Sequence, residues 1–128
     1  MKKLLFMAVA AVSLMAAECV SDIPNKLVVL YAQQGNLVVG RAGTATFYVA
    51  TLGIADGSRG TISWFSNSSG TTSATAPVGV TASVSNVTNS TASVTVNTSA
   101  ATPQGTYFFR VTIDGQQSGI AMLAVLPL

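Results

Sequence analysis

Chemistry at a protein site needs an activated group, and activation is what this sequence lacks. Serine and threonine hydroxyls are abundant, but the 128-residue chain has no histidine, and its four carboxylates are Glu18, Asp22, Asp56 and Asp114. A hydroxyl nucleophile requires a base within hydrogen-bond reach, and the isolated acids and Lys26 supply no such pairing. The one cysteine, Cys19, rules out an internal disulfide and, with histidine absent, a zinc site of the usual kind. Asp56 and Asp114 could offer hard oxygens to calcium, but that ion takes about six to eight of them and there is no dense Asp/Asn motif. Both read instead as aspartates bonding their own turns. Gly35 to Gly43 lacks the strand, turn and helix of a phosphate-binding loop. The expectation is no catalytic residue, no cofactor and no metal: a protein that is not an enzyme.

Other residues point to modification or contact. Met1-Lys2-Lys3, the apolar run Leu4 to Ala17 and the small pair Ala16-Ala17 have the three-part layout of a secretory signal. The run is shorter than the roughly 20 residues that span a bilayer as a helix. Cys19 stands where a bacterial lipoprotein carries its lipidated cysteine, although Glu18 occupies a place where a small residue is expected. Lipidation at Cys19, plain cleavage after Ala16 or Ala17, and retention of the segment as a pilin-like apolar helix all remain open. Asn67, Asn86, Asn89 and Asn97 head N-glycosylation sequons. Tyr48, Trp64 and Phe108, with Phe65, would form a stacking platform for sugar rings if one sheet face exposed them together.

Charge narrows the partners. The net charge is +2 and the pI about 9.0, but Lys2 and Lys3 belong to the amino-terminal segment. With the chain cut after Ala17, Lys26, Arg41, Arg59 and Arg110 balance Glu18, Asp22, Asp56 and Asp114. No footprint for nucleic acid remains, and a membrane enters only through a lipid anchor or the amino-terminal segment.

These residues must be positioned by strands. Hydrophobic residues make up 49% of the chain and charged ones 8%, a composition that packs a core. Period-2 alternation dominates after Asn25. In 105–113 it puts Tyr107, Phe109, Val111 and Ile113 on the core side and Phe108, Arg110 and Thr112 outside. In 43–52 it gathers Ala45, Phe47 and Val49 against Thr44, Thr46 and Tyr48. Further strands are expected at 26–32, 36–39, 60–65, 80–85, 91–98 and 118–126. Turns fall at Asp56-Gly57, Ser69-Gly70, Pro103-Gln104-Gly105 and Asp114-Gly115, the last a tight hairpin. The sum is an all-β sandwich of seven or eight strands over 23–128, preceded by the signal or helix at 1–19.

The runs Pro77 to Val84 and Ala101 to Gly115, with Gly43 to Thr51 as the early strand, resemble the bacterial and archaeal immunoglobulin-like modules over roughly Ile23 to Leu128. In these a Pro-x-Gly turn precedes one strand and a Thr-Pro-x-Gly-Thr-Tyr segment opens the penultimate one. The resemblance implies an immunoglobulin-like sandwich, with Trp64 as core tryptophan and Tyr107 as corner tyrosine. It implies little about function, since such sandwiches serve adhesion, scaffolding, sugar binding and virion decoration alike.

The expected role is a non-catalytic module, secreted or on the cell envelope, acting in adhesion or as a structural filament subunit. Its partner is a protein or polysaccharide surface, or another copy. A carbohydrate-binding module and a virion decoration protein are the alternatives. Two apolar segments, Leu27 to Tyr31 and Ile120 to Leu126, are the candidate edge strands for a neighbour.

Overall fold

A computed structural model describes residues 25–128. Residues 1–19, where a signal or apolar helix is expected, and with them Cys19, lie outside the described residues. Ten strands follow in order: β1 (Leu27–Gln34), β2 (Leu37–Val38), β3 (Gly43–Leu52), β4 (Gly60–Phe65), β5 (Ser73–Ala74), β6 (Thr81–Ser85), β7 (Thr91–Thr98), β8 (Gly105–Ile113), β9 (Gln116–Gln117) and β10 (Ala121–Leu126). There is no helix among them. Two sheets, consistent with a β-sandwich, contain these strands: a four-stranded sheet ordered β1-β3-β7-β6 and a six-stranded one ordered β2-β10-β8-β4-β5, with β9 pairing β8.

The core sits between the sheets because alternation sends every second side chain inward. Phe47 and Val49 from β3, Val94 and Val96 from β7, Phe109, Val111 and Ile113 from β8 and Leu123 from β10 are completely buried. Phe47 meets Phe109 edge-to-face at 4.9 Å, and Trp64 tilts against the same ring at 5.2 Å. These contacts tie the two layers together, in the spacing range where aromatic pairs add to area burial. Gly60 is fixed by close approach: a Cβ there would lie 2.7 Å from the Val84 side chain of the facing sheet.

Asp114-Gly115 forms the expected two-residue hairpin, with both residues at positive φ (51° and 78°), the geometry of a type I′ turn. Its return strand is split. β9 pairs at Thr112↔Gln117 and β10 at Phe109↔Ala121, a slip of one residue between them. Buried Ser118 fills the gap by accepting the Val111 amide on its hydroxyl at 3.0 Å. Alternation cannot reveal such a slip, so 118–126 reads as one strand from sequence. β10 is also not an edge as expected, because β2 pairs with it in parallel at Val125↔Leu37.

Candidate functional site

None of β1, β3, β6 and β7 contains an aspartate, glutamate, lysine or arginine. The outer face of the first sheet is therefore uncharged throughout, and register divides it into rows. Ser83, Thr95 and Thr46 stand side by side, as do Thr81, Asn97 and Thr44. The next row brings Ser85 and Ser93 to Tyr48. Beyond it the chemistry changes: Ala50 lies opposite Val29 and Leu52 opposite Leu27. Tyr31 packs edge-on against Tyr48 with ring centroids 5.2 Å apart. Leu27, Val29, Tyr31, Tyr48 and Leu52 are all exposed, Tyr48 by 47% and Leu52 by 56%. A contiguous apolar corner thus borders hydroxyl rows on one surface.

β1 carries this corner at the sheet edge, and Gln33 holds the strand in place. The register with β3 slips between Leu30 and Gln33, a bulge that swings the end of β1 toward the second sheet. There the Gln33 side chain accepts the Ala124 amide at 2.8 Å and donates to the Ala124 carbonyl at 3.3 Å and to Gly35 at 2.8 Å. One amide side chain acts as a one-residue strand against β10.

The structure does not bring Tyr48, Trp64 and Phe108 onto one surface. Trp64 is a core residue, 9% exposed. Phe108 is half-buried on the outer face of the second sheet, in a row between Met122 and Phe65. Arg110 lies 4.9 Å above the Phe65 ring and donates to Gln117 at 2.9 Å. Near this row, Trp64, Phe65, Pro77, Pro103, Tyr107 and Phe108 line an open groove of about 450 Å³. The Tyr107 hydroxyl donates to the Pro103 carbonyl, fixing the groove's wall.

The aspartates join different loops rather than capping their own turns. Asp56 accepts the backbone amide of Asn89 at 2.9 Å. Asp114 pairs with Lys26 at 3.0 Å while Lys26 also donates to the Asp114 carbonyl at 3.2 Å. The Lys26 hydrogen bond, helped by its charge and by the Ala55 amide against a desolvation cost, holds the Asp114 carboxyl below the ordinary aspartate value of 3.8. Among the described residues, no three His, Cys, Asp or Glu side chains cluster as metal ligands do.

Of the sequon asparagines, Asn86 and Asn89 are exposed in the loop between β6 and β7, with Asn86 at a φ of 54°. Asn97 is exposed on β7, its side-chain oxygen accepting from Thr44. Asn67 is half-buried and donates to the Thr71 hydroxyl at 2.6 Å. Sequence reasoning picked out Tyr48 and the run Leu27 to Tyr31 separately. It missed Leu52 and the joining of Tyr31 to Tyr48, because pairing between strands carries no local signal. No protein-family model matches the chain, and no curated protein matches its sequence.

Proposed function

We propose that the chain is an exported, non-catalytic immunoglobulin-like module of the cell envelope or its surroundings, which works by contact through the outer face of its first sheet, in adhesion or as a structural subunit. The uncharged face with its exposed apolar corner carries this reading. Exposed apolar clusters rimmed by polar groups mark contact sites, and burying an uncharged face desolvates no ion. The immunoglobulin-like assignment draws support from the strand order. β1-β3-β7-β6 follows the A-B-E-D order of that fold, and β10-β8-β4 follows G-F-C. The Tyr107 bond to Pro103 has the form of a corner tyrosine, and Trp64 packs in the core.

The test is retention of protein-coated beads on envelope preparations from cells that make the protein. Tyr48→Lys and Leu52→Lys are each expected to lower the affinity about tenfold or more, while Asp56→Asn leaves it unchanged. Equal retention of all the proteins would refute the reading. For export, mass and amino-terminal sequence of the native protein would distinguish cleavage after Ala16 or Ala17 from a lipidated Cys19; an intact chain in the cytosol would contradict it.

A carbohydrate-binding role is the second reading, and the aromatic groove beside Phe65 and Phe108 favours it. It requires retention on an immobilised polysaccharide that Phe65→Ala abolishes.

A further inference from the structure

We propose that two copies of this chain pair antiparallel through β1, around a two-fold axis at Val29, so that their four-stranded sheets become one continuous sheet. This deepens the reading of the first sheet as a contact surface and rests on it.

The free edge and its register follow from hydrogen-bond parity. Thr51 donates its amide to Ser90 in line with the β3–β7 ladder, so Thr51 and Val49 direct their backbone groups toward β7. Ala50 and Leu52 then direct theirs toward β1, where their partners are Val29 and Leu27. Val28 and Leu30 are left with N–H and C=O pointing away from β3. Among the described residues no strand pairs with β1 on that side.

An antiparallel copy satisfies these groups when Val28 faces Leu30 of the second copy and Leu30 faces its Val28. Each of the two pairs exchanges both backbone bonds. Val29 then meets its own counterpart at the close, non-hydrogen-bonded spacing, and Leu27 faces Tyr31 of the second copy. The outer-face residues at the junction are apolar on both sides, and symmetry makes the surface self-complementary.

Edges meant to stay single are blunted with lysine, proline, inward charge or a bulge; β1 reads Leu-Val-Val-Leu-Tyr-Ala-Gln-Gln with no charge or proline, and its one bulge lies beyond Leu30, outside the two hydrogen-bonded pairs. The absence of charge from all four strands removes like-charge repulsion between copies and favours a neutral partner such as this chain itself. The bulge before Gln33 limits the pairing to Leu27 through Tyr31. A two-fold contact uses the β1 edge of both copies, so it closes as a dimer and does not propagate as a fibre.

Disulfide trapping tests the register. In the full chain carrying Cys19→Ser, Val29→Cys places two sulfurs on the axis, where Cα atoms about 4.5 Å apart fall within disulfide range. Mild oxidation should convert it to a covalent dimer, while Ser83→Cys, on the strand at the opposite edge, remains a monomer. Light scattering in a nonionic detergent should give the wild type a dimer mass. Val29→Lys, which sets two ammonium groups together on the axis, should weaken the dimer about 100-fold or more, with its melting temperature matching the wild type's at dilutions where both are monomeric. Equal crosslinking of the two cysteine variants, or a monomer mass for the wild type at millimolar concentration, overturns the pairing. A monomeric wild type whose bead retention still falls with Tyr48→Lys refutes the dimer and keeps the contact surface. A dimer lost in Val29→Lys alongside retention indifferent to Tyr48→Lys upholds the pairing and removes the wider role in attachment.

Discussion

The outer face of the first sheet contains two regions that the same backbone presents in different chemistry. Around Thr46, Thr95 and Ser83 the outward positions are hydroxyls; around Leu27, Val29 and Leu52 they are aliphatic. Both regions belong to regular antiparallel ladders, and both back onto the same buried layer of Phe47, Val49, Val94 and Val96. The hydroxyl rows demonstrate that strand geometry here does not require an apolar outer side chain. The apolar corner is therefore more than strand geometry asks of an outer face, and covering it would remove exposed hydrocarbon from water.

Four changes break or sharpen that contrast. Phe109→Ala sets the scale for an apolar side chain that folding does require. It removes a ring packed against both Phe47 and Trp64, and urea unfolding should show a loss of about 3–5 kcal/mol. Gln33→Ala tests the mount of the corner. Removing the clamp leaves the Ala124 amide and carbonyl without their partner, and the same measurement should give about 1–3 kcal/mol, together with faster proteolysis in 31–36. Converting Leu27, Val29 and Leu52 together to threonine extends the hydroxyl chemistry across the corner. Stability should move by no more than about 0.5 kcal/mol per site, yet self-association should disappear; a loss as large as that of Phe109→Ala would make the corner part of the folding core.

Acid gives the smallest effect. The Asp114 carboxyl is held below its unfolded value, so its contribution is present at neutral pH. It fades as pH falls from near 3.8 through the folded pKa. The pair with Lys26 is exposed, so the melting temperature should drop only slightly more in the wild type than in Asp114→Asn over that range, and 1 M salt should shrink the difference.

The parts of this molecule visible in its sequence are those governed by period two. β3, β7 and β8 carry clean alternation and have the expected faces, down to an outward Tyr48 and an inward Phe109. The Asp114-Gly115 turn was equally legible, because few residues tolerate two consecutive positive φ angles. β5 and β9, two residues each, are too short to show a period. The bulges at Leu30/Gln33 and near Ser118 shift the phase without leaving a compositional mark. Asp56 and Asp114 bind across loops far apart in sequence, which no local turn rule foresees. The corner itself was half visible: alternation exposed its members one by one, and only strand order made them neighbours.

Amide hydrogen exchange at β1, followed as protein concentration rises, tests most directly whether the corner and its edge are covered by a second copy. The outward-pointing amides of Val28 and Leu30 should slow with concentration while those of Thr81 to Ser85 on β6 keep their rates. Exchange at Val28 and Leu30 that stays the same from micromolar to millimolar protein would contradict the account.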